Sequence, residues 1–108
     1  MSARPLVFVG SSRDDLRQFP SEVTKVVGVA LFEAQMGGTH GIVKLLQGFP
    51  GHRMYQASES FQGDAYRVVY TIKDETLYVL HAFKKKSTKG RAMPQPDKDL
   101  IVRRLKAI

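Results

Sequence analysis

The 108-residue chain contains no cysteine, which excludes disulfides, thiolate metal sites and a cysteine nucleophile. No apolar run approaches the ~18 residues that a membrane helix requires. The opening residues, MSARPLVFVGSS, turn polar too soon for a signal peptide. Histidine is sparse, and His40 and His52 fall in a glycine-rich stretch without ligand spacing, so no metal or other cofactor is expected. Acid is also in deficit, with 10 Asp and Glu against 17 Lys and Arg. A 43% apolar content over this length supports one domain, residues 1–108, with a single modest core. The expectation is a soluble cytoplasmic protein.

The positive charge is confined to one end. Through Phe83 the chain carries 8 Lys/Arg and 8 Asp/Glu, whereas Lys84 to Ile108 carries 9 and 2, so the whole +7 resides in the last 25 residues. A neutral body with one basic end is the footprint of a polyanion-binding surface. A membrane-surface helix would need a broad apolar face, and the C-terminal segment offers only a narrow stripe. Nucleic acid is the expected partner, with no membrane.

Hydrophobic periodicity sets the elements. Pro5–Val9 reads as a short strand stopped by Gly10-Ser11-Ser12, and Ser12 with Asp15 resembles a helix start. Pro20 ends that helix and opens a second. Val23, Val26, Val27, Ala30, Leu31 and Ala34 follow the spacing of one helix face up to Gly37-Gly38. Thr39–Arg53 reads as a linker with an apolar knot at Ile42, Val43, Leu45 and Leu46. Met54–Ser60, Tyr66–Ile72 and Glu75–Phe83 read as strands, the last two joined tightly at Lys73-Asp74. Pro96 starts a final helix with Leu100, Ile101, Arg104, Leu105 and Ile108 on its stripe. The order β-α-α-β-β-β-α indicates an α+β fold in which helices cover one face of a small antiparallel sheet. The first strand must join that sheet, or its backbone would go unpaired.

Several segments together resemble the RelE/ParE toxin superfamily, in its HigB-like, phage-derived branch. They are Leu6 to Leu16 with Phe19-Pro20, Leu45 to Phe49, Tyr66-Arg67-Val68-Val69-Tyr70, and Tyr78 to Phe83 running into Lys85-Lys86-Ser87, Lys89 and Pro94. The resemblance implies the toxin half of a type II toxin–antitoxin pair, neutralised by an antitoxin from the adjacent gene, a helix-turn-helix protein. It implies metal-independent endoribonuclease action on mRNA at the ribosome, the ribose 2′-hydroxyl attacking the adjacent phosphate. The ParE branch offers the alternative of a non-enzymatic gyrase inhibitor, and a degenerate protein that only binds RNA or antitoxin is a third reading. Two departures stand out. Gln56 and Ser58 occupy positions where RelE-like relatives are basic, and no tyrosine follows Tyr78.

Arg67, mid-strand, has the planar fork that suits a phosphate; the plainer reading pairs it with Glu59 or Asp64. His81 has the side chain suited to a proton shuttle, although a lone histidine on an apolar strand is more often a core residue, here expected to share a face with Val79 and Phe83. Lys84 and Lys86 should share one side of the strand end and Lys85 the other. Lys86 matches a basic catalytic position of RelE-like relatives. Arg67, His81 and Lys86 are therefore the candidate catalytic residues, and Lys84, Lys85, Lys89 and Arg91 the candidate RNA contacts, against the plainer alternative of a solvated charge run. Tyr66, Tyr70 and Tyr78 read as core.

Overall fold

The computed structural model describes residues 3–86 and 93–108, with Lys86 described by its backbone alone. Three helices, α1 (Ser12–Arg17), α2 (Ser21–Gln35) and α3 (Gln95–Lys106), flank five strands. The strands are β1 (Leu6–Phe8), β2 (Val43–Leu46), β3 (Met54–Phe61), β4 (Asp64–Lys73) and β5 (Thr76–Lys86). They form one sheet in the order β1-β5-β4-β3-β2. All neighbours are antiparallel except β1, which pairs with β5 in parallel and so joins the sheet as its backbone requires. No helix among the described residues is long and apolar enough to cross a membrane.

Two tight turns set the register of the central strands. Gln62 and Gly63 (φ 50° and 86°) join β3 to β4, and Asp74 and Glu75 (φ 50° and 61°) join β4 to β5. Positive φ at both central residues matches the right-handed twist of the flanking strands. The second turn lies one residue beyond the Lys73-Asp74 position read from the sequence, because Lys73 still pairs with Thr76. The expected linker also contains a strand. Val43–Leu46 pairs with Met54–Ala57 and forms the sheet edge beyond β3. It is four residues long and only Val43 is buried, so its apolar knot carries too little alternation to announce a strand.

The sheet is buried on both sides rather than one. On the first face, Val23, Val27, Ala30, Leu31 and Ala34 of α2 pack over Ala57, Val68, Tyr70, Leu77 and Val79. This is the stripe read from the sequence. On the opposite face, Ile101 and Leu105 of α3 pack over Met54, Val69 and Leu80, with Phe49 beside them. Tyr66 and Tyr70 are core residues of the first face.

A β-bulge interrupts β5. Val69 pairs with His81 and Tyr70 with Val79, so Leu80 is the extra residue. The bulge turns Leu80 and His81 toward the same α3 side, and disrupts the ladder locally. Side chains supplement the bonding there. The Ser12 hydroxyl, fully buried, donates to the Val79 carbonyl at 3.0 Å. Arg104 donates to the Leu80 carbonyl at 2.8 Å and to the Ser11 hydroxyl at 3.0 Å. The guanidinium lies so close to Gly10 that a Cβ there would stand 2.7 Å from Arg104 Nε. The sequence had placed Arg104 on the apolar stripe; it is instead a polar tie between α3, the bulge and the start of α1.

Two outcomes test this packing. Ile101, with no exposed surface, should cost about 2–5 kcal/mol when replaced by alanine, whereas Phe32→Ser on the exposed side of α2 should stay within about 0.5 kcal/mol; urea denaturation separates the two. Burial pushes the Tyr70 phenol up to about 12, with Tyr55 alongside it a smaller cause. A folded-state value above the unfolded one means this stabilisation is present below pH ~10 and is lost as pH rises toward about 12. Tyr70→Phe should flatten that alkaline loss, as read from denaturation midpoints at pH 9 to 12.

Candidate nucleic-acid interface

On the α3 side of the sheet, the helix covers only part of the surface. Its first turn meets β5 at His81, where Asp97 Oδ1 lies 2.7 Å from His81 Nε2. From there α3 runs toward the other end of the strands, where Lys73 donates to the carbonyl of Ile108 at 2.8 Å. The rows past His81, toward the end of β5, are left without helical cover. Arg67 pairs there with Phe83 on one side and Ser58 on the other. Gln56 and Lys44 occupy the adjacent row, directly opposite each other on β3 and β2. Alternation puts Lys44, Gln56, Ser58 and Arg67 on one face.

These four side chains line a cleft of about 460 Å³, closed at one end by Gly41 and Ile42. The Gln56 amide donates to the Ser58 hydroxyl at 3.3 Å, while Gln56 Oε1 and Arg67 Nε are buried without partners. No described residue gives Arg67 a hydrogen bond or an ion pair. The pairing with Glu59 or Asp64 does not form. Glu59 is opposite Tyr66, on the other face, and Asp64 Oδ2 lies 3.8 Å from Lys84 Nζ. A half-buried guanidinium without a counter-ion is costly, and orphaned buried polar groups in a native fold call for an explanation. An incoming anion would satisfy the guanidinium, whereas Gln56 Oε1, an acceptor, calls for a donor such as a hydroxyl.

His81 is 6% exposed and stacked on Phe83, ring centroids 4.7 Å apart. Its Nδ1 is buried without a partner. The bulge places it with Leu80 and Phe83, not with Val79 as strict alternation had suggested. The structure thus divides the candidate residues. Arg67, His81 and Lys85 project from the same face, since Lys85 pairs with Ala65 two positions from Arg67; Lys85 has an interaction of its own. Lys84 takes the hairpin side, beside Asp64 and lining a different cleft with Asp15, Phe19 and Tyr66. Lys86 pairs with Asp64 through its backbone, and its side chain lies outside the described residues, as do Lys89 and Arg91. Lys44 escaped the sequence reading because it sits in a segment taken as linker. Its only local signal was the apolar pair Leu45-Leu46 beside it.

The family model "Phage derived protein Gp49-like (DUF891)" matches residues 14–106. No protein of curated function matches the chain in sequence. Among solved structures, a mutant of the Escherichia coli toxin RelE in the free state is 20% identical, with a TM-score of 0.62 over 100% of this chain and 99% of that one. The toxin–antitoxin complex RelBE2 from Mycobacterium tuberculosis gives 22% identity and a TM-score of 0.53, over 79% of this chain and 94% of that one. These likenesses establish a RelE-type fold.

The His81–Asp97 contact ties the first turn of α3 to the sheet. Asp97→Ala should leave both ring nitrogens of buried His81 unpaired, lowering stability by about 1–3 kcal/mol. Hydrogen exchange should quicken in the first turn of α3, with little change in α2; uniform protection in both would refute the tie.

Proposed function

Because the chain belongs to the phage-derived Gp49-like family and has a RelE-type fold, we propose that it is the toxin of a type II toxin–antitoxin pair, an endoribonuclease acting on mRNA at the ribosome. The observation that carries this reading is Arg67, a guanidinium held half-buried in an open cleft with no partner among the described residues. The complex of RelBE2 supports an antitoxin as the second partner.

In the proposed reaction the ribose 2′-oxygen attacks the neighbouring phosphorus while the bond to the 5′-oxygen breaks. The products are a 2′,3′-cyclic phosphate and a 5′-hydroxyl, with one proton removed from the nucleophile and one delivered to the leaving oxygen. Negative charge accumulates on the non-bridging oxygens in between. Arg67 donates two parallel bonds to them, and its fixed position on β4 means little reorganisation as that charge develops. Lys85, on the same face, and Lys86, Lys89 and Arg91 after it extend the positive field along the RNA. Lys86 is our candidate for proton transfer. We assign His81 to positioning, since Nε2 is engaged by Asp97 and the ring is buried against Phe83.

Inducing the protein should arrest growth and leave new 5′-hydroxyl ends on ribosome-bound mRNA. Arg67→Ala should fold normally yet lose toxicity, because the contact it removes is worth about 1.5–3 kcal/mol or more in the transition state. Growth arrest with intact transcripts and inhibited DNA gyrase would instead establish the ParE-like reading, and a folded, fully toxic Arg67→Ala variant would remove this residue from the site.

A further inference from the structure

The cleft around Arg67 holds two cations and no carboxylate. Its lining is Gly41, Ile42, Lys44, Gln56, Ser58 and Arg67, and neither Lys44 nor Arg67 has a hydrogen bond or ion pair with any described residue. Lys44 is exposed and Arg67 half-buried, so the two like charges line one cleft from its rim and its floor, and an anion placed between them would be attracted by both. Lys44 sits directly opposite Gln56 in antiparallel register, so the two Cβ atoms project from the same face about 4.5–5.5 Å apart. Gln56 and Ser58 are neutral where related toxins are expected to carry charge. The cation directly beside Gln56 on that face is Lys44, one strand further out at the sheet edge.

We infer that Lys44 and Arg67 form a two-point clamp for the RNA phosphates, with Lys44 supplying from β2 the cation that Gln56 does not supply from β3. The neutral pair between them has its own part. Gln56 Oε1 lacks a partner, and the Ser58 hydroxyl, bonded to the Gln56 amide at 3.3 Å, keeps capacity for a further bond. An acceptor and a hydroxyl between two cations suit a ribose hydroxyl lying between successive phosphates, the feature that separates RNA from DNA. The ligand class is single-stranded RNA held by its backbone. The inference rests on the nucleic-acid reading of the cleft, but not on cleavage.

The test uses the full chain and a fluorescein-labelled single-stranded oligoribonucleotide with its 2′-hydroxyls free, checked on a denaturing gel to be intact after each titration. Binding is followed by anisotropy from 50 to 300 mM salt. Lys44→Gln should weaken binding about tenfold at low salt, the size of one charge-assisted contact. It should also reduce the slope of log K against log salt by about 0.7, the value for one phosphate on a single strand. Adding Gln56→Lys to Lys44→Gln moves the cation one strand inward and should restore both affinity and slope. The clamp is overturned if the wild type does not bind the probe, or if Lys44→Gln matches it in affinity and slope. It is overturned equally if the double variant melts like the wild type yet regains nothing. Should all three behave as expected while ribosome-bound mRNA remains intact on induction, the clamp stands and the endoribonuclease reading falls.

Discussion

Strands β4 and β5 are packed by α2 on one face and α3 on the other, and this double burial constrains the rest of the molecule. A slip of one residue in either strand would exchange the residues facing the two helices, turning Arg67 of β4 or Lys85 of β5 to the α2 side. The register is therefore fixed by two cores at once. The bulge at Leu80 is the adjustment that lets both be satisfied. Val79 continues the face of α2, and one extra residue then brings Leu80 and His81 together under α3. Ser12 and Arg104 bond to the carbonyls at that point, so the irregularity is held by all three layers.

The open end of the α3 face follows from the same arrangement. Asp97 holds the helix start at His81, and the short apolar stripe of α3 reaches only the rows beyond it toward Thr71 and Lys73. What remains uncovered is a patch of β2, β3 and β4 whose side chains are polar or charged. A sheet surface left bare by its helix is normally a liability. Here those rows carry Lys44, Gln56, Ser58 and Arg67, polar and charged side chains in place of apolar ones. The second core is correspondingly small, with six buried residues where a covering helix of full length would have enclosed more.

Legibility in the sequence followed the strength of local periodicity. The α2 stripe was readable because five of its six apolar positions are buried on one face, and β4 and β5 because long apolar runs flank a tight turn. The RelE-type architecture and the mid-strand place of Arg67 followed from the matching strand segments. Strand β2 was not readable, since four residues between glycines with only Val43 buried lack a pattern, and its loss concealed Lys44. The face of His81 was mistaken because alternation assumes no bulge, and nothing in Tyr78-Val79-Leu80-His81 marks one. The placement of α3 on the opposite side also exceeded local information. It depends on which face of a two-sided sheet remains unfilled once the helical hairpin has docked.

The basic end of the chain and the cleft are thereby distinct electrostatic devices. The field of the excess Lys and Arg after Phe83 acts at a distance and is screened steeply by salt. Arg67 differs in kind. Its surroundings remove much of its water and supply no counter-ion, so its attraction for a phosphate is short-ranged and less screened. The cost of holding such a cation half-buried falls on the folded state of the free protein and would be offset by a bound anion. Only a rigid base can hold an unpaired charge in place without the side chain relaxing into solvent or onto a nearby carboxylate. With Asp64 opposite Lys84 and Glu59 turned to the other face, both acids that could neutralise Arg67 are kept away by the same register that the two cores enforce.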